Sequence, residues 1–138
     1  MGDVATYKGS VGLNSLHELR LFTEHALKER GLDDEACANF VLVADEWITN
    51  VLTHGYQSNE GKLELNIETN NNLVTLCIAD QAPAFDLTAT GNIEPDKSPL
   101  ENTAPGGLGL ILIRRLVSNI HYSRSTDGWN KTCFSQSV

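Results

Sequence analysis

A carboxylate, a carboxamide and an imidazole recur at four-residue intervals in the run Asp45-Glu46-Trp47-Ile48-Thr49-Asn50-Val51-Leu52-Thr53-His54-Gly55-Tyr56. In a helix, positions four apart lie about 40° from one another around the axis, so Glu46 and Asn50 share a stripe and His54 follows one turn on. The rest of that stretch is apolar almost all round: Phe40, Val41, Leu42, Val43, Ala44, Trp47, Ile48, Val51 and Leu52. An acid and an amide in so apolar a helix need partners if they are buried. They either serve a ligand, or they cap neighbouring backbone or face solvent.

A second stretch, Cys77-Ile78-Ala79-Asp80-Gln81-Ala82-Pro83-Ala84-Phe85-Asp86, runs from an apolar strand into an aspartate at the mouth of a loop. That is a common place for a ligand-binding carboxylate. It is equally a place for a strand-ending Asx turn. The third stretch is Gly106-Gly107-Leu108-Gly109-Leu110, followed by the apolar run Ile111-Leu112-Ile113. Glycines opening a helix let backbone N–H groups and the helix dipole meet an anion, which makes a phosphate cradle plausible. The 10 basic residues are outnumbered by 18 acidic ones, for a net charge of −8. A polyanionic ligand would therefore be held by backbone amides or a metal ion rather than by net charge. The same balance argues against duplex nucleic acid and anionic membrane, both of which select clustered Lys and Arg.

Other chemistries lack their residues. No G-x-x-x-x-G-K-[ST], H-E-x-x-H or G-x-S-x-G pattern occurs, and His17, His25, His54 and His121 are scattered, which makes a zinc site improbable.

The elements that must position these residues read as follows. Residues 4–12 alternate as a short strand. Asn14-Ser15 opens a helix in which Ser15 and Glu18 are spaced as a capping box, and Gly31 ends it. A longer helix runs from about Asp33 to His54, with Asp33, Asp34 and Glu35 matching its N-terminal dipole. Strands at 62–68 and 73–79 flank the turn Thr69–Asn72. Residues 81–105 hold all four prolines and form a long loop; an apolar helix then runs to about Asn119. A final hairpin, 120–125 and 130–136, turns at Asp127-Gly128. The order β-α-α-β-β-loop-α-β-β predicts an α/β two-layer sandwich, with three helices on one face of a mixed, mostly antiparallel sheet.

A chain of 138 residues with 41% hydrophobic and 20% charged residues reads as one globular domain, residues 1–138. Three separated cysteines, Cys37, Cys77 and Cys133, without C-x-x-C argue against a disulfide framework and for a reducing, cytoplasmic setting. No signal peptide or membrane-spanning run is visible.

In this order and spacing, the three stretches resemble the nucleotide-binding boxes of the GHKL ATPase/kinase superfamily, and most closely the small anti-sigma-factor serine kinases of the RsbW and SpoIIAB type. Glu46-x-x-x-Asn50 with His54-Gly55-Tyr56 matches the N box. Asp80 through Phe85-Asp86 matches the first glycine box, and Gly106-Gly107-Leu108-Gly109-Leu110 the second. The resemblance implies a Bergerat-type ATP-binding fold with ATP and Mg²⁺ as cofactors. It implies that Asn50 holds the Mg²⁺ and that Glu46 is the general base or orients the attacking serine hydroxyl. Asp80 would accept from the adenine amino group, with Thr132 as a second adenine contact. Nucleotide contacts are carried onto His54, Ala82, Phe85, Gly106, Gly107, Leu108, Gly109 and Leu110 as well, with residues 87–105 as the ATP lid. The chain is too short to add the phospho-accepting helices of a sensor histidine kinase.

The implied function is phosphorylation of a serine on a STAS-type anti-sigma antagonist, with sequestration of a sigma factor or similar regulator. Relatives of this type commonly dimerise, and the first helix or a sheet edge could serve here. One departure stands out: the family usually has D-x-G where this chain has Asp80-Gln81-Ala82. An alanine forced to positive φ would cost about 1–2 kcal/mol and weaken ATP binding roughly tenfold, whereas at negative φ it costs nothing. A non-catalytic partner-binding module on the same fold is therefore the alternative.

Overall fold

Period-two alternation decides which face of each strand is buried. On the strand Gly61–Asn70 it buries Leu63, Leu65 and Ile67; on Leu73–Asp80 it buries Val74, Leu76 and Ile78; on Asn130–Ser137 it buries Phe134. The computed structural model describes residues 3–86 and 107–138. The elements are β1 (Asp3–Val11), α1 (Leu16–Glu29), α2 (Asp34–Asn50), β2 (Gly61–Asn70), β3 (Leu73–Asp80), α3 (Gly107–Leu116), β4 (Asn119–Arg124) and β5 (Asn130–Ser137). The proposed lid, residues 87–105, and Gly106 lie outside the described residues.

The five strands form one sheet in the order β1-β2-β3-β5-β4. Leu65 faces Ile78, which faces Thr132; Ile67 faces Leu76, which faces Phe134. All these residues point to the side covered by the helices, where Leu19, Leu27, Phe40, Val43, Trp47, Ile48, Leu52 and Ile113 complete the core. The α/β sandwich anticipated from the element order is the fold. The sheet is not mixed, however: every pairing among the described strands is antiparallel. β3 and β4 do run parallel, as a crossover through α3 demands, but β5 inserts between them and is antiparallel to both.

Three local expectations change. Ser15 does not cap α1 with Glu18; its Oγ accepts from the Gly12 N–H at 3.1 Å and closes a 3₁₀ turn, Leu13–Ser15, before the helix. The second helix does not run as one α-helix to His54. Residues Val51–Gly55 widen into a π-turn, closed by the Tyr56 N–H on Val51 O at 2.7 Å and ended by positive φ at Gln57 and Ser58. Its start is as anticipated, with Asp33 Oδ1 accepting from the Ala36 N–H at 2.8 Å. Third, Cys77 and Cys133 form a disulfide on the sheet face away from the helices, while Cys37 is free and buried. They are 56 residues apart in sequence, but the β3–β5 register sets them directly opposite with Cα atoms 4.1 Å apart. No helix among the described residues is long and apolar enough to cross a membrane.

Phe134 is fully buried and meets the Trp47 ring edge-on at 5.9 Å, tying β5 to α2. Phe134→Ala is expected to cost about 3–5 kcal/mol of stability, read from denaturant unfolding. A loss under about 1 kcal/mol would contradict the placement of β5 in the core.

Candidate functional site: a carboxylate-lined end of the sandwich

The C-terminal ends of α2 and β3, the start of α3 and the start of β5 converge at one end of the molecule. Glu46 is half-buried near the last turn of α2. A Cβ on Gly109 would lie 2.5 Å from Glu46 Oε2, so the first turn of α3 sits against this carboxylate because residue 109 has no side chain. Asn50 stands one turn further along α2. Neither side chain takes a hydrogen bond from the described residues, which leaves both free for a ligand. The π-turn follows at once, a form that collects at functional sites.

Next to this turn, a Cβ on Gly55 would lie 2.7 Å from the Ala82 methyl. The two residues are matched in size: Ala82 occupies the room that Gly55 leaves. Ala82 is not among the positive-φ residues, so the cost attached to its replacement of the usual glycine does not arise. Tyr56 then ties the turn to the sheet. Its hydroxyl donates to Lys62 O at 2.5 Å and accepts from the Gln81 N–H at 2.7 Å, while its ring lies where any Cβ on Gly61 would collide.

Asp80 is 2% exposed. Its Oδ1 accepts from the Ala82 N–H at 3.0 Å, so the Asx-turn reading holds, but the ligand reading is not displaced by it. The same oxygen accepts from Asn130 Nδ2 at 2.8 Å, and Oδ2 takes no hydrogen bond from the described residues. Burial pushes the carboxyl above the ordinary range, opposed by the Asn130 and Ala82 hydrogen bonds and the charge of Arg124. One row along, Thr132 is fully buried and its Oγ1 lacks a hydrogen-bond partner. A buried hydroxyl without a partner, next to a buried carboxylate with a free oxygen, is the donor and acceptor set that the edge of an adenine ring would satisfy. Trp47 Nε1 is a second buried donor without a partner, and its ring lies 5.9 Å from that of the exposed Phe85.

The structure thus brings together Glu46, Asn50, Gly109, Asp80, Ala82 and Thr132. His54 is exposed on the π-turn. Leu110 is buried in the core, so only its backbone could meet a ligand. Gly107 and Leu108 open α3. Sequence reasoning missed Asn130, which alternation places on the same face as Thr132, and it missed Arg124 and Tyr122; it had Tyr56 in the first motif stretch but gave it no role. A separate cleft of about 770 Å³, lined by residues such as Asn39, Asn71 and Gln136, lies at the opposite end of the sheet and contains none of the motif residues.

A family model of the histidine kinase-like ATPase domain matches residues 10–135. The chain belongs to this family. The ATPase domain is similar to the serine-protein kinase RsbW of Oceanobacillus iheyensis, 29% identical over 106 residues, which is 73% of this chain and 66% of that protein. It is also similar to the serine/threonine-protein kinase BtrW of Bordetella bronchiseptica, 33% identical over 90 residues, 64% of this chain and 62% of that protein. The matches thus span just under two thirds of the relatives' own lengths. Among solved structures, a chain of the SiaB–SiaC complex from Pseudomonas aeruginosa superposes with a TM-score of 0.75 at 14% identity, over 95% of this chain and 88% of that one. The histidine kinase AdeS of Acinetobacter baumannii gives 0.51 at 18% identity, over 95% and 67%. These two likenesses establish the fold.

A raised carboxyl pKa means that the folded chain still holds a proton that the unfolded chain has released. The contribution of Asp80 to stability therefore falls as pH rises from its ordinary value of 3.8 through the raised one. Asp80→Asn is expected to melt no lower than the wild type at pH 8 and to lose part of the wild-type decline between pH 4 and 8. A clearly lower melting temperature for the variant at pH 8 would overturn this account.

Proposed function

We propose that this ATPase domain is a serine-protein kinase of the partner-switching, anti-sigma type, using ATP to phosphorylate a serine on a STAS-type antagonist protein. The observation that carries this reading is the contact between Glu46 and Gly109, which sets a free carboxylate against the helix start that would meet the phosphates. The kinase names of RsbW and BtrW support it. Asp80 and Thr132 would hold the adenine edge, and the first turn of α3 would offer N–H groups to phosphate oxygens. Phe85, whose ring lies 5.9 Å from that of Trp47, would meet the base.

Among the described residues, no cluster of three or more His, Cys, Asp or Glu could hold a metal by itself. Asn50 fits Mg²⁺ as a single oxygen donor, since that ion is usually held by few protein ligands together with phosphate oxygens and water. When bound, it neutralises charge on the transferring phosphoryl group. Glu46 would accept the serine proton as the serine oxygen bonds to the γ-phosphorus. The bond from that phosphorus to the β–γ bridging oxygen breaks, and ADP leaves. When not occupied by the antagonist, the domain would hold a sigma factor or related regulator. A homodimer belongs to the same proposal, and so does a cytoplasmic address, which the kinase relatives support and the cysteines, with Cys77 and Cys133 bonded, do not.

Glu46→Gln is expected to retain ATP binding and to lose phosphoryl transfer by about 10²–10⁴-fold, measured by calorimetry and by radiolabel transfer to a STAS partner. Transfer at the wild-type rate would remove Glu46 from the chemistry. Gly109→Ala should act similarly through displacement of the Glu46 carboxylate. Its stability should stay within about 1 kcal/mol of wild type, since alanine favours the helix and the clash falls on the end of a flexible side chain. A rate unchanged in Gly109→Ala would show that the contact does not matter.

A further inference from the structure

Asn130 is 3% exposed at the start of β5, and both ends of its amide are engaged. Nδ2 donates to Asp80 Oδ1 and to Ala82 O, each at 2.8 Å. Oδ1 accepts from Arg124 Nη1 at 2.8 Å and from the Tyr122 hydroxyl at 2.5 Å. The orientation of the amide follows from chemistry: a guanidinium can only donate, so the atom facing Arg124 is the oxygen, and the nitrogen faces the carboxylate. Arg124 reaches Ala82 O as well, at 3.3 Å. Two strands and the turn after β3 therefore close on one amide.

A buried carboxyl group has two states with opposite recognition properties. Ionised, it only accepts, and it suits the 6-amino group of adenine. Protonated, it donates an O–H and suits the 6-oxo group of guanine. Burial favours the protonated form, and a hydrogen bond donated to the carboxylate favours the ionised one.

Building on the nucleotide reading above, we infer that Asn130 is a specificity-determining positioning residue, which holds Asp80 as an acceptor and so makes the pocket select a 6-aminopurine over a 6-oxopurine. Arg124 locks the Asn130 amide in the donating orientation. The other titratable or charged groups near Asp80 among the described residues are Tyr122 on β4 and Tyr56 from the π-turn; the strand neighbour Leu63 on β2 is apolar. Tyr56 has its own pKa raised, chiefly by burial, and stays neutral through the physiological range. Asn130 and Arg124 are thus the side chains that oppose protonation.

The test is calorimetric titration of the whole chain with ATP and with GTP from pH 5.5 to 8.5, for wild type, Asn130→Ala and Arg124→Gln. Because Arg124 is exposed, its variant leaves the core intact if Asn130→Ala does not fold. For Asn130→Ala, ATP affinity at pH 7 should fall about tenfold or more. The loss should shrink toward pH 8.5, and the ATP-to-GTP ratio should become pH-dependent; Arg124→Gln should shift the same way by less. In the free protein, the carboxyl carbon of Asp80, followed by NMR, should titrate at higher pH in both variants. Uniformly weaker binding with an unchanged pH profile and base ratio would overturn the inference while leaving the nucleotide site standing. A wild type that binds neither nucleotide would overturn both.

Discussion

Taking a carboxylate out of water obliges the surrounding chain to supply donors for it. At Asp80 those donors come from two places, the next turn through the Ala82 N–H and β5 through Asn130, whose amide is in turn held by Arg124 of β4. This obligation pins the register of the central strands. A slip of one residue between β3 and β5 would set Lys131 or Trp129 opposite Asp80, and it would turn Thr132 and Phe134 to the open face. The buried acid and the apolar rows behind it thus favour the same pairing.

Around this centre, absent side chains matter as much as present ones. Gly55 leaves room for the Ala82 methyl, Gly61 for the Tyr56 ring, and Gly109 for the Glu46 carboxylate. At Gly55 and Gly109, two motifs distant in sequence come within van der Waals contact. Gly55 and Ala82 also explain how the chain tolerates a departure from its family's usual pattern. The extra methyl at residue 82 is met by a missing one at residue 55, and backbone strain does not enter.

Much of this was legible beforehand. Period-two and period-3.6 patterns located the five strands and three α-helices of the described residues within a few residues, because most of them bury a single face. The three motif stretches named Glu46, Asn50, Asp80 and Gly109, whose types carry their chemistry openly. The misses were pairings across long sequence distances. Asn130 reads from the sequence only as the first residue of the last strand; the sheet order sets it opposite Asp80. Cys77 and Cys133 looked isolated because nothing local marks two residues as cross-strand neighbours. The insertion of β5 between β3 and β4, which made the sheet wholly antiparallel, is likewise a global choice. The π-turn at Val51–Gly55 escaped because an apolar helical pattern does not distinguish four-residue from five-residue closure.

That insertion bears on how the chain leaves the ribosome. β5 follows every other described element in order of synthesis, yet it occupies a central position in the sheet. Until it has cleared the exit tunnel, β3 presents an open hydrogen-bonding edge and Asp80 has no amide to meet it. A nascent chain halted before residue 130 would therefore carry every described element except β5, with the sheet split between β3 and β4. β5 must therefore be made before Asp80 can meet the Asn130 amide.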